Sequence, residues 1–148
     1  KIIKERPGAM LLLVGDGELR DTLQKECDNI GIMDRVIMTG NVSNVADYLC
    51  AMDVFVFPSL YEGMPLSVIE VQCNGLPCVI SDSVPDDVYL TDLIRPLSLK
   101  DSKQKWILEI SSAKRKNEEY YGKQMRQSEF DVSVMLQKLY RIYDEAVI

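Results

Sequence analysis

The residues from 54 to 81 constrain the fold more than any other part of the chain. Residues 54–57, VFVF, form a short apolar run rich in β-branched and aromatic residues, which predicts a buried strand. After a loop, Pro65 suits the first position of a helix, where no amide hydrogen is needed. Gly75 predicts the end of that helix. The stretch is therefore predicted to fold as strand, loop and helix, and residues 78–81 supply the next strand.

The predicted helix carries apolar side chains around most of its circumference, which indicates burial between a sheet and another element. These side chains belong to Leu66, Val68, Ile69, Val71 and Cys73. The polar remainder is a narrow stripe formed by Ser67, Glu70 and Asn74, at spacings of three and four residues. A carboxylate in a mostly buried helix is costly unless it is paired or hydrogen-bonded. The presence of Glu70 in this helix therefore calls for a chemical explanation, such as binding a ligand. Glu62, in the preceding loop, is the second candidate for a functional carboxylate.

Short apolar runs and helical patterns alternate along the rest of the chain. The tail of a helix is predicted at residues 1–7, strands at 9–14 and 35–38, and helices at 18–30 and 42–52. Core side chains are expected in the two later helices, at Leu19, Leu23, Cys27 and Ile30 in one and at Val45, Leu49 and Met52 in the other. This alternation predicts an α/β fold, a Rossmann-like parallel sheet with helices on both faces.

The part of the chain after residue 81 is less regular. A short strand is predicted around residues 93–96 and a helix from Ser102. Residues 113–127 carry many charges and predict a solvated helix. Asp131 is predicted to cap a last helix, whose apolar side chains are Val134, Leu136, Leu139, Tyr140 and Tyr143.

Ligands of parallel sheets gather beyond the carboxyl ends of the strands. Three loops follow predicted strands and should meet there: residues 15–18, 39–43 and 58–66. The amides at the start of the Pro65 helix, those of Leu66 and Ser67, lack partners within the helix and predict an anion site suited to a diphosphate.

Composition narrows the functional class. The chain has 148 residues, 47% of them hydrophobic, and is predicted to form one domain, residues 1–148. No apolar run approaches the roughly 20 residues that span a bilayer, and no leader pattern opens the chain, so a soluble, cytoplasmic protein is expected. A net charge of −6 argues against a nucleic-acid partner. The chain has no histidine, and its four cysteines, in no C-x-x-C pair, are expected to be reduced core thiols rather than metal ligands.

Glu62 and Glu70 are separated by seven residues within the segment PSLYEGMPLSVIEVQCNGLPCVISD. This segment resembles the E-x7-E region of the retaining GT-B glycosyltransferases, the group 1 type, in which a sugar is transferred from a nucleoside diphosphate with retention of configuration. The resemblance covers the carboxy-terminal, donor-binding domain of that family.

The resemblance also implies roles for individual residues. Glu70 would bind the ribose of the nucleotide. Glu62, the candidate catalytic residue, would bind the donor sugar together with the backbone of Gly63, Met64, Pro65 and Leu66, which also meets the diphosphate. Gly15 and Gly17 would line the donor cleft, and Thr39, Gly40 and Asn41 would meet the nucleobase. No metal and no cofactor beyond the nucleotide-sugar substrate is expected.

The resemblance places several expected parts outside residues 1–148: the amino-terminal acceptor domain, the first strand, and an arginine and lysine pair that neutralises the diphosphate. The chain alone is therefore expected to bind nucleotide weakly and to transfer nothing. The sequence of residues 81–99 resembles the corresponding segment of the family members that assemble capsular polysaccharides and exopolysaccharides. A glycan or lipid-linked acceptor would then bind through the other domain, with the enzyme at the inner face of the membrane but not inserted in it.

Simpler interpretations remain beside these. Glu62 could only stabilise the helix N-terminus, and Glu70 could be buried and paired with Arg20 or Arg95. Gly15 and Gly17 could simply make a turn, since Arg20 replaces the third glycine of a dinucleotide motif. The whole chain could be a non-catalytic interaction module, or a sugar-nucleotide epimerase or phosphorylase domain on the same architecture.

Overall fold

The structure is a computed structural model and describes residues 2–146. The chain divides into two compact units, residues 1–52 and residues 53–148. Both are α/β and contain parallel strands.

The first unit contains a two-stranded parallel sheet. Its elements are α1 (Ile2–Glu5), β1 (Leu11–Leu13), α2 (Arg20–Asn29), a 3₁₀ turn (Met33–Arg35), β2 (Val36–Met38) and α3 (Val45–Ala51). The register runs from Leu11 opposite Val36 to Leu13 opposite Met38. Each predicted strand and helix of this part is confirmed, with ends shifted by a few residues, and Lys1 lies outside the described residues.

Burial in the first unit is lower than predicted. Cys27 and Leu49 are buried as expected, but Leu19 and Ile30 are 67% and 65% exposed, and Leu23 and Val45 are also exposed. Strand β1, predicted to be central and buried, is half-exposed. The physical reason is size: a two-stranded sheet offers too little apolar surface to cover both of its faces and a ten-residue helix.

Helix α2 ends as the sequence predicts. Gly31 follows the last helical residues with a positive φ of 67°. Its amide donates to the Asp28 carbonyl at 3.0 Å, and the next amide, that of Ile32, donates to the Cys27 carbonyl at 3.0 Å. This pair of bonds is the Schellman arrangement, which satisfies carbonyls that the helix itself leaves without partners.

The second unit contains a three-stranded parallel sheet in the order β3, β4, β5. Its elements are β3 (Phe55–Phe57), α4 (Leu66–Cys73), β4 (Cys78–Ser81), a 3₁₀ turn (Asp86–Val88), β5 (Ile94–Leu97), α5 (Lys103–Ser112), α6 (Glu118–Met125) and α7 (Val132–Ala146). All four residues of β4 are buried, and both α4 and α5 contact this strand. The sheet therefore has helices on both faces, and the predicted fold class is confirmed.

Strand β3 is less buried than the sequence predicts. It lies at one edge of the three described strands of this sheet, and Val56 is exposed. The apolar run of residues 54–57 is typical of a central strand, yet an edge strand leaves alternate side chains open. The side chains of Phe55 and Phe57, which stack at 5.7 Å between ring centroids, are half-buried.

Helix α4 starts and stops where the sequence predicts. Pro65, predicted as the first helical residue, is the N-cap, so the helix begins one residue later, and Gly75 has a φ of 66° just after the C-cap. A Cβ atom at residue 75 would lie 2.9 Å from the carbonyl oxygen of Lys116. Both the backbone conformation and the close approach of this neighbouring chain segment therefore require glycine.

Gln72, on the buried face of α4, joins three parts of the second unit. Its side chain has no exposed surface, and its amide nitrogen donates to the carbonyls of Val68 at 2.9 Å and Val88 at 2.8 Å. Its oxygen accepts from the amide of Leu90 at 3.1 Å and the hydroxyl of Thr91 at 2.9 Å. All four hydrogen bonds that a glutamine amide can readily make are formed, so this buried polar group is fully satisfied.

The sequence predicts that helix α6 is solvated, and this prediction is wrong. Tyr121 and Met125, one helical turn apart, are buried, and α6 packs against α4. The Tyr121 hydroxyl donates to Asp92 at 2.6 Å, and Lys116 donates to the other oxygen of the same carboxylate at 2.6 Å. The Lys116 ammonium, followed by the Tyr121 hydroxyl, lowers the pKa of Asp92 through these hydrogen bonds. The prediction failed because the many charged residues of this segment outweighed the two buried positions, Tyr121 and Met125, which are only four residues apart.

The last helix has the predicted cap but not a buried apolar face. The Asp131 carboxylate accepts from the Ser133 amide at 2.8 Å and from the Val134 amide at 3.4 Å, which confirms the N-cap. Val134 is half-buried. The other predicted apolar contacts of α7 are exposed: Leu136, Leu139, Tyr140 and Tyr143. Within residues 2–146, none of the helices is both long and apolar enough to cross a bilayer.

The four cysteines, all within the described residues, form no disulfide. Cys27 and Cys78 are buried and Cys73 is half-buried, but Cys50 is exposed, which corrects the prediction of four core thiols. Burial raises the pKa of Cys78 to about 12. Burial, and to a smaller extent the negative charge of Glu70, also raise the pKa of Cys73.

The Gln72 network gives a prediction for stability. Replacing Gln72→Ala removes four hydrogen bonds of a fully buried side chain and leaves a cavity in their place, so we expect a loss of about 2 to 4 kcal/mol in the free energy of unfolding. Urea denaturation measures this loss. The exposed Gln137 of α7 provides a matched control, because Gln137→Ala should change stability by less than about 0.5 kcal/mol. Equal effects of the two substitutions would contradict the role of Gln72.

The differences among the cysteines give a prediction for thiol labelling. In the native chain at pH 8, Ellman's reagent should modify Cys50 rapidly and Cys78 slowly, because Cys78 is buried and its pKa is raised. All four thiols should react once the chain is unfolded in urea. Replacing Cys50→Ser should remove the fast phase, and a fast phase that survives this substitution would contradict the structure.

Candidate functional site

The loop between β3 and α4 carries Glu62 at the carboxyl ends of the strands. The Glu62 side chain is half-buried, and its Oε1 accepts a hydrogen bond of 2.7 Å from the Ser59 hydroxyl. Within the described residues, no amide of α4 donates to Glu62. Its carboxylate is therefore held by the loop itself rather than serving as a hydrogen-bonded cap of the helix.

The N-terminus of α4 directly follows this loop. Pro65 is its N-cap, and no side chain of the described residues caps the helix. The Val68 amide donates to the Pro65 carbonyl at 3.0 Å, which closes the first turn. Among residues 2–146, no acceptor is found for the amides of Leu66 and Ser67. Two donors and the positive end of the helix dipole are thus available to an anion.

The surroundings of Glu62 are open. A Cβ atom added at Gly63 would meet nothing within 4 Å. Tyr61 is 86% exposed, and Leu60, Met64 and Leu66 are also exposed. Apolar side chains of this size at a loop tip can form the walls of a binding site for a sugar ring or for another protein surface.

Glu70 is exposed, so the alternative interpretation of Glu70 as a buried, paired carboxylate is wrong. The α4 circumference is not covered on this side, and Leu66 is open as well. Within the second unit, Arg95, one of the two arginines proposed as a partner, bonds Glu109 at 3.3 Å instead of Glu70. Arg20 belongs to the first unit and lies 4.0 Å from Asp16 there. Within the described residues no side-chain hydrogen bond or ion pair holds the Glu70 carboxylate, so it can accept from a ligand.

The polar stripe on α4 is divided between two kinds of contact. At its carboxyl end, Asn74 accepts a hydrogen bond from Arg115 at 2.6 Å through its side-chain oxygen, and at 2.9 Å through its carbonyl. Asn74 is therefore part of the fold. Ser67 and Glu70 are nearer to the start of the helix and make no such side-chain contact among the described residues.

Two of the predicted loops meet in the first unit. Gly15 and Gly40 form an antiparallel bridge, with the Gly15 amide donating to the Gly40 carbonyl at 3.1 Å. Both glycines have positive φ, 124° and 68°. A cavity of about 230 Å³ adjoins this bridge and is lined by Gly15, Asp16, Gly17 and residues of β1 and α2. The predicted turn at Gly15 is thus part of a concave surface.

Arg20 lies close to both loops, 4.0 Å from Asp16 and bonded to the end of β2, whereas the Thr39 hydroxyl is bonded within its own loop. The Arg20 guanidinium donates to the Met38 carbonyl at 3.2 Å. The Thr39 hydroxyl donates to the Gly40 carbonyl at 2.8 Å, so its proton is used within the protein. Asn41 is exposed. The third loop, residues 58–66, belongs to the second unit, and the convergence of all three loops stays a prediction.

A larger cavity of about 720 Å³ lies elsewhere in the second unit, between α4 and α6. Ile69, Cys73 and Met125 supply its apolar surface, and Arg126 and Asp131 supply charge. None of the residues that the sequence predicts for ligand binding lines this cavity. Residues 2–146 contain no cluster of three or more cysteine and carboxylate side chains that could hold a metal ion.

The fold matches that of GT-B glycosyltransferases of known structure. The pneumococcal O-GlcNAc transferase GtfA, solved in complex with UDP and GlcNAc, superposes with a TM-score of 0.75 at 18% identity, over 99% of this chain and 31% of GtfA. At this identity the similarity concerns the fold. The Rossmann-like α/β architecture is therefore that of part of a GT-B enzyme.

The sequence comparison gives the family. The model described as glycosyl transferases group 1 matches residues 1–96, and the chain belongs to this family. EpsF of Bacillus subtilis, which is named as a putative glycosyltransferase, is 32% identical over 138 residues, 90% of this chain and 36% of EpsF. The UDP-Gal:alpha-D-GlcNAc-diphosphoundecaprenol alpha-1,3-galactosyltransferase of Escherichia coli is 40% identical over 77 residues, 51% of this chain and 20% of that enzyme. The chain thus spans little more than a third, or less, of these two relatives.

Proposed function

We propose that this chain is the donor-binding half of a retaining glycosyltransferase that uses a nucleoside-diphosphate sugar. The observation that carries the proposal is the arrangement of residues 62–70. One loop and helix start present two carboxylates and two amides without acceptors among the described residues, and neither carboxylate is paired with an arginine of the second unit. A ligand with both an anionic group and several hydroxyl groups matches that combination of donors and acceptors.

The amides of Leu66 and Ser67 would bind the diphosphate. Their N–H groups and the helix dipole favour negative charge, and they would stabilise the charge that develops on the leaving diphosphate. Pro65 fixes the direction of the first turn, and Gly63 leaves the backbone accessible. We propose that the acceptor attacks the face from which the diphosphate departs, which would retain the anomeric configuration.

The two carboxylates would bind hydroxyl groups. Glu62 would repel a phosphate but can accept from sugar hydroxyls, and Glu70 can accept from the two hydroxyls of a ribose. Hydrogen bonds to a charged acceptor contribute about 1.5 to 3 kcal/mol each. The glycine loop at Gly15 and Gly17 and the turn at Thr39, Gly40 and Asn41 would then border the rest of the nucleotide.

The relatives suggest the chemical identity of donor and acceptor. GtfA was solved with UDP, and the name of the Escherichia coli relative gives UDP-Gal as donor and a diphosphoundecaprenol-linked sugar as acceptor. We therefore propose a uridine diphosphate sugar as the donor. A lipid-linked or glycan acceptor would bind through another domain of the full enzyme, in capsular or exopolysaccharide assembly at the cytoplasmic face of the membrane.

Nucleotide titration tests the proposal. Isothermal titration of the chain with UDP should show binding that Glu70→Ala weakens by about 10- to 100-fold, because the substitution removes a charged acceptor from the ribose. The melting temperature should hardly change, since Glu70 is exposed and makes no side-chain bond among the described residues. Guanosine diphosphate, titrated in parallel, measures the selectivity for uracil.

The exposed Glu26 of α2 provides a matched control, because Glu26→Ala removes a helical glutamate that has no proposed ligand. Unchanged UDP binding in Glu70→Ala, with a large loss of melting temperature, would assign Glu70 to the fold. Failure of the chain to bind either nucleotide at millimolar concentration would favour a non-catalytic interaction module.

A further inference from the structure

Three serine hydroxyls connect the ends of β3 and β4 to Glu62. The Ser81 and Ser83 hydroxyls both lie within hydrogen-bond distance of the Ser59 carbonyl, and the Ser83 contact is 2.8 Å long. The Ser59 hydroxyl in turn donates to Glu62 Oε1 at 2.7 Å. Ser81 and Ser83 come 22 and 24 residues after Ser59 in the chain, so the fold, rather than a local motif, brings the network together.

The Ser59 carbonyl is the fixed point of this network. The Ser81 and Ser83 hydroxyls also lie 2.8 Å from each other, and each carries one proton, so at least one of the two protons reaches the Ser59 carbonyl. Ser81 has no exposed surface, so water does not replace its partner. Leaving a buried hydroxyl without a partner is costly, and the end of β3 is therefore tied to the end of β4 through Ser59.

The Ser59 hydroxyl has one proton and two acceptors within reach. The Glu62 carboxylate is 2.7 Å away, whereas the Tyr61 carbonyl is 3.2 Å away. The shorter contact to a charged acceptor is the stronger one. The proton therefore points to Glu62 Oε1, and Glu62 Oε2 makes no hydrogen bond among the described residues.

We propose that Ser59 is a positioning residue for Glu62 and thereby sets the recognition of the donor sugar, while Ser81 and Ser83 hold Ser59 in place. This inference rests on the proposed function and deepens it. Ser59 occupies one carboxylate oxygen, which fixes the orientation of the other toward the hydroxyls of a hexose. Without Ser59, Glu62 would keep its charge but lose its fixed direction.

Parallel titrations with UDP and with UDP-sugars test this role. We would titrate UDP, UDP-galactose and UDP-N-acetylglucosamine into the unmodified chain and into Ser59→Ala, Ser59→Thr and Glu62→Gln. The unmodified chain should bind at least one of the two sugar nucleotides more tightly than UDP. Ser59→Ala and Glu62→Gln should reduce this preference by about three- to tenfold, with UDP affinity changed less than about twofold.

The conservative variant and a control separate positioning from folding. Ser59→Thr keeps the hydroxyl and should restore the preference. Ser133→Ala, at an exposed serine of α7, should change neither affinity. Melting temperatures of all variants report any general loss of structure.

The possible failures are distinguishable. If the unmodified chain does not bind UDP, the proposed function itself is wrong, and the role of Ser59 with it. If UDP binds but neither sugar nucleotide binds more tightly, the sugar does not contact Glu62 and the inference is overturned alone. If Ser59→Ala weakens UDP and the sugar nucleotides equally, or Ser59→Thr fails to restore the preference with an unchanged melting temperature, Ser59 has no positioning role.

Discussion

Strand β4 is the element on which the second unit depends. It pairs in parallel with β3 on one side and β5 on the other, and all four of its residues are buried. Burial on both faces means that each backbone polar group of the strand needs a partner within the sheet. Because β4 cannot shift without breaking both ladders, its last residue, Ser81, is a rigid attachment point for the loop that follows β3.

Helix α4 is stabilised by other contacts than the loop that precedes it. The buried face of helix α4 is held by Gln72, whose side chain bonds the backbone of Val88 and Leu90. Its carboxyl end is held at Gly75, where the backbone of Lys116 approaches too closely for a Cβ atom. Its N-terminus has no side-chain cap among the described residues. The stabilising contacts thus lie at the buried face and the carboxyl end, and the amides at the start of the helix remain available.

Much of the fold could be predicted from the sequence because its signals are local. Short apolar runs indicate strands β1 to β4. Gly31, Gly75, Ser102 and Asp131 mark helix ends through backbone conformation and capping, which depend on few neighbours. Burial was predicted less well. The exposure of Glu70, the packing of Tyr121 and the satisfied amide of Gln72 depend on which segments come together, and periodicity within one helix does not contain that information.

The same distinction applies to the candidate site. The spacing of Glu62 and Glu70 could be read from the sequence, since both lie in one loop and helix. The contacts of Ser59 with Ser81 and Ser83 could not, because these residues are separated by more than twenty positions and meet only when β3 and β4 pair. A serine two positions after an apolar run carries no signal of its own.

The exposed side chains of Leu60, Tyr61 and Met64 have a consequence for evolution. They project from a loop whose backbone is fixed by Ser59 and by the start of α4, and they contribute little to the core. Exchanging them would alter the shape and polarity of the loop tip at small cost in stability. Substitutions at these three positions can therefore accumulate while the scaffold is kept, because other residues, Ser59 among them, support the loop.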